Sequence, residues 1–247
     1  MPHPRHILLI GATSAIAEHC ARLWVQEGTP RLTLVGRSPE RLEALATDLR
    51  VRNPQAEIHT QAGEFTDPAG IRATVDRLTA QGPIDLALIA HGSLPDQSLC
   101  QQDLQLAHAT LEINGLSPAL YAEALAGHFA RQGYGTLGLI GSVAGDRGRR
   151  SNYVYGAAKG LLTRYAQGLQ HRFAHSGVRV VLIKPGPTET PMTAGLEGRF
   201  APVEDVARDI VRGMEKGQRV IYTPGKWRLI MCVIRHLPAF VFNRMNI

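Results

Sequence analysis

The chain has 247 residues, of which 44% are hydrophobic and 19% are charged. This balance is typical of soluble globular proteins and excludes the disordered and collagen-like classes. The length suits one large α/β domain that buries most of its surface. The three cysteines, Cys20, Cys100 and Cys232, are far apart and odd in number, which argues against a disulfide framework and favours a reducing compartment.

The formal net charge of +6 is concentrated at the C-terminal end. No acidic residue follows Glu215, whereas six Lys and Arg residues do, and these six account for the whole formal excess. The positive charge therefore belongs to the tail and not to the whole domain, so a partner that it attracts is expected to bind at the tail. The first apolar run, at residues 7–10, is too short for the core of a signal peptide, so we expect a cytoplasmic protein.

Short apolar runs alternate with helical patterns along the chain. We predict strands at residues 7–10, 32–35, 56–60, 84–89, 136–140, 178–183 and 220–222. The patterns between and after them predict helices at roughly 15–27, 39–50, 68–80, 102–131, 154–175 and 203–216. Continuous aliphatic strands separated by helices are typical of a parallel sheet that is covered on both faces. We therefore predict a single domain with a doubly wound, seven-stranded parallel sheet of the Rossmann type.

The first predicted strand leads into a turn of small residues, GATSAIA, at 11–17. Such a turn lets a pyrophosphate approach the backbone N–H groups at a helix N-terminus. Ala15 and Ala17 stand where glycines would be expected, so the alternative is a tight turn that serves packing alone. The hydroxyls of Thr13 and Ser14 can contact phosphate in compensation. The cofactor contacts predicted in this turn are Gly11, Thr13, Ser14, Ala15 and Ile16.

Arg37 follows the second predicted strand, after Val35 and Gly36. In NAD-binding sheets a carboxylate near this point receives the ribose hydroxyls, whereas an Arg accommodates a 2′-phosphate. Because no carboxylate stands at Gly36 and a cation follows, we predict NADP(H) as the cofactor in preference to NAD(H). The alternative is that Arg37 is a solvated residue that opens the next helix.

Tyr155 and Lys159 lie four residues apart at the start of a predicted helix. This spacing puts both side chains on one helix face, about 5–6 Å apart at Cβ. A free tyrosine has a pKa of ~10 and ionises too reluctantly for proton transfer at neutral pH, but a nearby ammonium lowers that pKa. Ser142 ends the preceding strand, so its hydroxyl can meet Tyr155 at the carboxyl edge of the sheet, where ligands of α/β proteins bind.

Four segments of the chain resemble the short-chain dehydrogenase/reductase family. They are GATSAIA at 11–17, IGSVAG at 140–145, YGAAK at 155–159 and KPGPTETPM at 184–192. The segments occur in the family's order, with its 13-residue step from Ser142 to Tyr155. The likeness covers about residues 5–223. It implies a nicotinamide-dependent oxidoreductase that acts on a carbonyl group and that forms a homo-dimer or homo-tetramer.

The resemblance also implies roles for individual residues. Tyr155 matches the family's acid/base. Lys159 matches the partner of that tyrosine, which also binds the nicotinamide ribose. Ser142 matches the hydroxyl that polarises the substrate carbonyl. Asn114 matches the asparagine whose kinked helix helps to hold a proton-relay water. The further cofactor contacts that it implies are Glu64 and Phe65 at the adenine, Ala90 after the fourth strand, and Pro185, Gly186 and Thr190 at the nicotinamide carboxamide.

His91 departs from the family pattern, which usually has an asparagine-rich turn after the fourth strand. We interpret His91 as a structural residue rather than a proton carrier. The other histidines are scattered without ligand spacing, so no metal site is expected. Residues 187–202 are predicted to form the flexible lid of the substrate site.

The tail at 226–247 combines Trp227, flanking cations and apolar residues, and it follows a domain predicted to end at residue 225. Its uninterrupted apolar run, 229–234, is much too short to span a bilayer, which needs ~20 residues. Two interpretations stay open: an amphipathic segment that makes a peripheral membrane contact, or a helix packed on the domain or on a second subunit. In the first case the protein would work at the inner face of the membrane. Nucleic acid is disfavoured as a partner, because the tail is more apolar than a phosphate-tracking arm.

These features predict an enzyme that reduces a ketone to a secondary alcohol, or catalyses the reverse. The nucleotide turn, the turn around His91 and the tail together bear a faint similarity to reductases of lipid-linked keto-sugars, the decaprenylphosphoryl-keto-pentose reductases, so the substrate is expected to be a small-molecule or lipid-linked carbonyl compound. One alternative is an epimerase or dehydratase with tightly bound NAD(P). Another is a non-catalytic dinucleotide sensor or scaffold, against which the joint presence of Asn114, Ser142, Tyr155 and Lys159 weighs.

Overall fold

The computed structural model describes residues 5–28 and 30–245. Within them, seven strands form one parallel sheet in the order β3-β2-β1-β4-β5-β6-β7. The strands are β1 His6–Ile10, β2 Arg31–Gly36, β3 Glu57–Ala62, β4 Leu86–Ile89, β5 Tyr134–Ile140, β6 Gly177–Pro185 and β7 Val220–Thr223. The predicted doubly wound, seven-stranded parallel sheet is confirmed, including the weakly patterned third strand.

Helices cover both faces of the sheet and follow its last strand. In the described part of the chain they are α1 Ala15–Glu27, α2 Pro39–Arg52, α3 Pro68–Thr79, α4 Gln97–Gln102, α5 Leu104–Leu111, α6 Ser117–Gln132, α7 Tyr153–Arg172, α8 Val203–Glu215, α9 Trp227–His236 and α10 Ala239–Phe242. Five of the six predicted helices agree with the structure to within a few residues. The sixth, predicted at 102–131, is found as an unbroken helical run of α5, a π-helical turn and α6, from Leu104 to Gln132.

Two local features divide that region. Asp103 ends α4 and begins α5, because its carboxylate accepts hydrogen bonds from the backbone N–H groups of Gln105 and Leu106 at 2.8 and 3.2 Å. A π-helical turn, Glu112–Leu116, then joins α5 to α6. Such turns are often found at functional sites, and this one contains Asn114.

The sheet has an apolar core on each face. Helices α1, α2 and α8 pack on one face, against side chains such as Leu9 and Leu34. Helices α3, α6 and α7 pack on the other, against Leu8 and Val35. Successive residues of a strand point to opposite faces, so β1 and β2 contribute to both cores. The strands all end at one edge of the sheet, and the turns after β1, β4, β5 and β6 meet there.

The C-terminal helices α9 and α10 lie against the domain. Met231 of α9 is buried. The guanidinium of Arg147 donates hydrogen bonds to the carbonyls of Ile234 and Leu237, each at 2.6 Å. The last two residues of the predicted tail, 246–247, lie outside the described residues. No helix within residues 5–28 and 30–245 is long and apolar enough to cross a membrane.

Candidate active site

The turn after β1 packs closely against the end of β4. Gly11 has a φ of +78°, and a Cβ at this position would lie 2.6 Å from the backbone N of His91. A left-handed backbone with no room for a side chain requires glycine. The backbone N–H groups of Gly11 and Ala12 both donate to the carbonyl of Val35, at 2.8 and 2.9 Å. The neighbouring strands β2 and β4 therefore fix the shape of this turn.

The N-terminus of α1 opens from this turn without a side-chain cap. Ser14 occupies the N-cap position but makes no side-chain capping hydrogen bond. The N–H groups of the first helical turn and the positive end of the helix dipole can therefore interact with an anion. The residues around this helix end are partly exposed: Thr13, Ser14, Ala15 and Ile16. The arrangement fits the pyrophosphate of a dinucleotide.

Two arginines lie beside the turn. Arg37 is exposed at the end of β2, and it contributes to lowering the pKa of His91. Arg41, in the first turn of α2, donates a hydrogen bond from Nη2 to the carbonyl of Thr13 at 3.1 Å. Cations in this place suit a 2′-phosphate. Sequence analysis identified Arg37 only, because the contact between Arg41 and Thr13 depends on the direction in which α2 leaves the sheet.

Glu64 and Phe65 are held within their own loop. Glu64 Oε1 accepts hydrogen bonds from the backbone N–H and the hydroxyl of Thr66, at 2.8 and 2.9 Å, and from the N–H of Phe65 at 2.8 Å. These bonds lower the pKa of Glu64 to about 2. The Phe65 ring is buried, with its centroid 4.8 Å from that of His91. Any contact with adenine here therefore comes from the loop backbone or the Glu64 carboxylate, since the Phe65 ring belongs to the core.

His91 is enclosed between the nucleotide turn and the π-helical turn. The preceding residue, Ala90, donates its backbone N–H to Ile10 at 2.8 Å. His91 Nε2 pairs with the Ser117 hydroxyl at 2.8 Å, whereas Nδ1 is buried with no hydrogen-bond partner within the described residues. Burial, together with the positive charge of Lys159, lowers the pKa of His91 to about 3. The ring is therefore neutral at pH 7 and packs as a structural residue does.

Asn114 connects the π-helical turn to the loop after β4. Its Oδ1 accepts a hydrogen bond from the N–H of Ser93 at 3.0 Å, and its Nδ2 donates to the carbonyl of Thr110 at 2.9 Å. A Cβ on Gly92 would lie 2.6 Å from Asn114 Oδ1 and 3.7 Å from Lys159 Nζ. Gly92 thus lies between the Asn114 amide and the Lys159 amino group, and it is close to both.

Ser142, Tyr155 and Lys159 come together at the carboxyl end of β5. Lys159 Nζ lies 5.7 Å from the centroid of the Tyr155 ring and donates a hydrogen bond to the carbonyl of Ile140 at 3.0 Å. The Ser142 hydroxyl lies near enough to Tyr155 to lower the pKa of the phenol. The Ser142 hydroxyl also accepts a hydrogen bond from the N–H of Ala144 at 3.1 Å, which orients it toward the site.

Burial controls the acid–base behaviour of this group. It raises the pKa of Tyr155 to about 12, and the nearby Ser142 hydroxyl has a smaller, lowering effect. Burial also lowers the pKa of Lys159 to about 8. The lowering of the Tyr155 pKa that was expected from Lys159 is therefore not found, because burial outweighs it. At pH 7 the phenol is protonated and most of the Lys159 amino group is charged. This is the protonation state that a proton donor to a carbonyl oxygen needs.

The comparison with known proteins identifies the family. Residues 5–199 match the family model of the short chain dehydrogenases. The chain belongs to the short-chain dehydrogenase/reductase family. It is therefore an NAD(P)-dependent dehydrogenase or reductase, and its cofactor is a nicotinamide dinucleotide.

Relatives along the whole chain agree with this assignment. A protein of Streptomyces coelicolor named "Uncharacterized oxidoreductase in mprA 5'region" is 32% identical over 244 residues, covering 98% of this chain and 96% of that protein. An uncharacterized oxidoreductase of Mycobacterium tuberculosis is 33% identical over 242 residues, covering 97% of this chain and 96% of that protein. The solved short-chain dehydrogenase from Sphingobium yanoikuyae, in complex with NADPH, superposes with a TM-score of 0.82 at 24% identity and covers 98% of this chain and 96% of that one. At this identity the structural likeness establishes the fold alone.

In this short-chain dehydrogenase/reductase, the segment after β6 lies at the same edge as Ser142. The N–H of Gly186 donates to the carbonyl of Thr223 at 2.9 Å, which ties the segment to the end of β7. A Cβ at Gly186 would overlap the indole ring of Trp227. Gly186, which with Pro185 is predicted at the nicotinamide carboxamide, therefore lies against the first residue of α9.

The predicted lid at 187–202 is closed at its base. Thr188 and Ala201 form a parallel bridge, and the N–H of Ala201 donates to the carbonyl of Pro187 at 2.9 Å. Thr190 lies just beyond the bridge, and its N–H donates a hydrogen bond to the Thr193 hydroxyl at 3.1 Å. The base of this loop is therefore held by backbone hydrogen bonds, whereas its outer residues are mostly exposed.

A buried ion pair adjoins Ser142, and sequence analysis did not identify it. Asp146 ends the 3₁₀ turn Val143–Asp146, directly after Ser142, and its carboxylate pairs with Lys184 of β6. Tyr222 donates to the second carboxylate oxygen at 2.9 Å. The two charged side chains are only 2% and 4% exposed. Since a buried charge is costly unless it is paired and hydrogen-bonded, this pair holds the turn after Ser142 against the strand that precedes Gly186.

Proposed function

We propose that this protein is a carbonyl reductase that uses NADPH to reduce a ketone to a secondary alcohol, or that catalyses the reverse reaction. The observation that carries the proposal is the meeting of Ser142, Tyr155 and Lys159 at the carboxyl end of β5. When bound, the nicotinamide supplies the hydride. The residues of this chain then have to hold the carbonyl oxygen and give it a proton.

Each of the three side chains suits one part of that task. The Ser142 hydroxyl, oriented by Ala144, donates a hydrogen bond to the carbonyl oxygen. Tyr155, whose phenol is protonated at neutral pH, gives its proton to the same oxygen as negative charge develops there. The Lys159 ammonium stabilises the phenolate that remains. Asn114, across Gly92 from Lys159, is suited to hold a water that returns a proton to this group.

The preference for NADPH rests on the two arginines beside the nucleotide turn. Arg37 and Arg41 bring positive charge to the end of β2 and the start of α2. A 2′-phosphate is favoured by cations at this point. The complex of the Sphingobium yanoikuyae relative with NADPH supports the same choice.

The proposed substrate is a small-molecule or lipid-linked ketone, reached in the cytoplasm or at the inner face of the membrane. The loop at 187–202 offers a mostly exposed cover for the site, and loops of this kind close over bound ligands in many enzymes. The contact between Trp227 and Gly186 brings the C-terminal helices to the rim of the same site. Their exposed apolar residues support a substrate delivered from lipid.

We also propose that the protein is a homo-dimer or homo-tetramer that associates through α6 and α7. A groove of about 590 Å³ runs along these helices, and Leu161 and Leu169 contribute to its lining. Leu161 of α7 and Leu120 of α6 are 39% and 38% exposed. Exposed leucines beside a groove support an interface between subunits.

The decisive experiment replaces Tyr155 with Phe. The change removes the proton donor and keeps the ring, so oxidation of NADPH with a panel of ketones, followed by absorbance, should fall by about 10²–10⁴-fold. Binding of NADPH, followed by its fluorescence, should be largely unchanged. Tyr134→Phe is the matched control, because Tyr134 is exposed at the opposite end of β5 and its loss of a hydroxyl should have no effect.

The same assay separates the alternatives. Near-normal turnover by Tyr155→Phe would show that another group donates the proton. Conversion of substrate without a net change in NADPH would indicate an epimerase or dehydratase. Binding of NADPH with no turnover of any ketone by the wild type would indicate a sensor or scaffold.

A further inference from the structure

The outward side of α9 and α10 is an exposed apolar surface. Leu229 and Val233 lie one helical turn apart on α9 and are 75% and 62% exposed. Phe240 of α10 is 68% exposed. Isolated exposed apolar residues are common on soluble proteins, but here three large ones are grouped on two consecutive helices.

The segment that carries this apolar surface is basic and has no acidic residue. The exposed basic residues of the segment are Lys226, Arg228, Arg235 and Arg244. No acidic residue follows Glu215 in the chain. The surface therefore combines exposed apolar side chains with a purely positive charge, which is the pattern of helices that lie in a membrane interface.

The inward side of the two helices is anchored, so the apolar surface cannot turn toward the core. Met231 is fully buried, and Arg147 binds the carbonyls at the end of α9. The guanidinium of Arg147 also lies 3.8 Å from the centroid of the Phe242 ring in α10. Because Arg147 follows the 3₁₀ turn that begins directly after Ser142, the helix pair is attached to the segment that carries the proposed catalytic serine.

We propose that the outward face of α9 and α10, centred on Leu229, Val233 and Phe240, docks on a membrane surface of anionic phospholipid. The apolar side chains enter the boundary between head groups and acyl chains, and the cations interact with the lipid phosphates. A second copy of this chain is the poorer occupant, because two such faces would bring like charges together with no carboxylate to pair them. Nucleic acid is also a poorer occupant, because it offers no apolar phase to the exposed leucine, valine and phenylalanine.

This docking would turn the catalytic edge toward the bilayer. The anchors Met231 and Arg147 hold α9 beside the Ser142 segment, and Trp227 lies against Gly186. A lipid-linked ketone would then reach the site without leaving the membrane surface, a consequence that rests on the proposed reductase function. The docking itself does not depend on catalysis and is measured without it.

The experiment measures the binding of the full chain to vesicles by co-sedimentation. One set of vesicles is phosphatidylcholine with a quarter of phosphatidylglycerol, and the other is phosphatidylcholine alone. Val233→Glu puts a negative charge into the apolar centre of the face, and we expect its affinity for the anionic vesicles to fall by about tenfold or more. Val51→Glu is the matched control: Val51 is 78% exposed on α2, so the same chemical change is made away from the face, and binding should match the wild type.

Two further readouts make the result decisive. Wild-type binding should weaken as salt is raised and should be much weaker on phosphatidylcholine alone. Unchanged NADPH fluorescence would show that Val233→Glu is folded and that any loss of vesicle binding is local. Equal binding by Val233→Glu and Val51→Glu, or no binding by the wild type, would overturn the proposal. So would a change in sedimentation coefficient that is specific to Val233→Glu and occurs without vesicles, because it would identify the occupant as a second copy of the chain.

Discussion

The role proposed for Lys159 conflicts with stability. Its amino group is buried and donates to the carbonyl of Ile140, and burial lowers its pKa from 10.5 to about 8. The folded protein therefore carries the cost of desolvating an ammonium whenever the pH is below about 8. That cost is lost progressively as the pH rises from about 8 to about 10.5, because the unfolded chain holds the proton more tightly over this range.

We therefore expect Lys159→Met to be more stable than the wild type at about pH 7, by about 1–3 kcal/mol. The difference should shrink between about pH 8 and pH 10.5, and ketone reduction should be lost at every pH. Urea unfolding at several pH values, together with the absorbance assay, measures both effects. Lys226→Met, at an exposed lysine, is the control and should leave stability nearly unchanged. A Lys159→Met protein that is less stable than the wild type at pH 7 would show that the ammonium contributes to the fold.

For single residues, the sequence predicts which side chains form the candidate site better than it predicts the surroundings of those side chains. The spacing of Tyr155 and Lys159 is a local helical property, so it can be read from the chain. The pKa values of these groups depend on burial by distant segments, and the sequence does not contain that information in a local form. The same holds for the ion pair of Asp146 with Lys184, whose partners are separated along the chain by α7 and most of β6.

Among the helices, α7 packs tightly at one end and loosely at the other. A Cβ on Gly145, in the 3₁₀ turn beside α7, would lie 2.6 Å from the backbone carbon of Lys159 and 2.7 Å from its carbonyl oxygen. A Cβ on Gly168, near the far end of α7, would have no neighbour within 4 Å. The close contact fixes the Ser142 segment on the helix that carries Tyr155.

Alanine at these two glycines should have opposite effects. Gly145→Ala should lower the free energy of unfolding by about 1–3 kcal/mol, because neither backbone can yield easily, and turnover should fall as Ser142 moves away from Tyr155. Gly168→Ala should raise the free energy of unfolding by about 0.5–1 kcal/mol through helix propensity alone. Urea unfolding and the NADPH assay test both variants. Full stability and activity in Gly145→Ala would mean that the contact is not a constraint.

Hydrophobic periodicity predicts helical runs but not the local features within them. The strands and most helices follow from hydrophobic periodicity and chain order. The region at 102–131 was predicted as one helix, because neither the Asp103 cap nor the π-helical turn at Glu112–Leu116 breaks the apolar pattern. The tail left two interpretations open, since its inward and outward sides both carry apolar residues and only the position of Met231 distinguishes them.

For the whole molecule, alternation of strands and helices is enough to predict the parallel sheet, because crossover connections allow few other arrangements. Assembly is harder to predict, because an interface is a property of surfaces that come together only after folding. The groove of about 590 Å³ along α6 and α7 is one such surface, since Glu123 belongs to α6 and Leu161 to α7. No sequence pattern relates these two residues.

If this groove is the subunit interface, Leu161→Glu should dissociate the oligomer. The substitution places a carboxylate among apolar contacts that a partner would bury, and the loss of one such contact changes association constants by tenfold or more, about 1.4 kcal/mol or above. Sedimentation velocity at micromolar concentration should give a smaller species for Leu161→Glu than for the wild type. Val51→Glu adds the same charge on α2 and should sediment as the wild type does. A wild type that is already monomeric, or a Leu161→Glu oligomer of unchanged size, would place the interface elsewhere or exclude it.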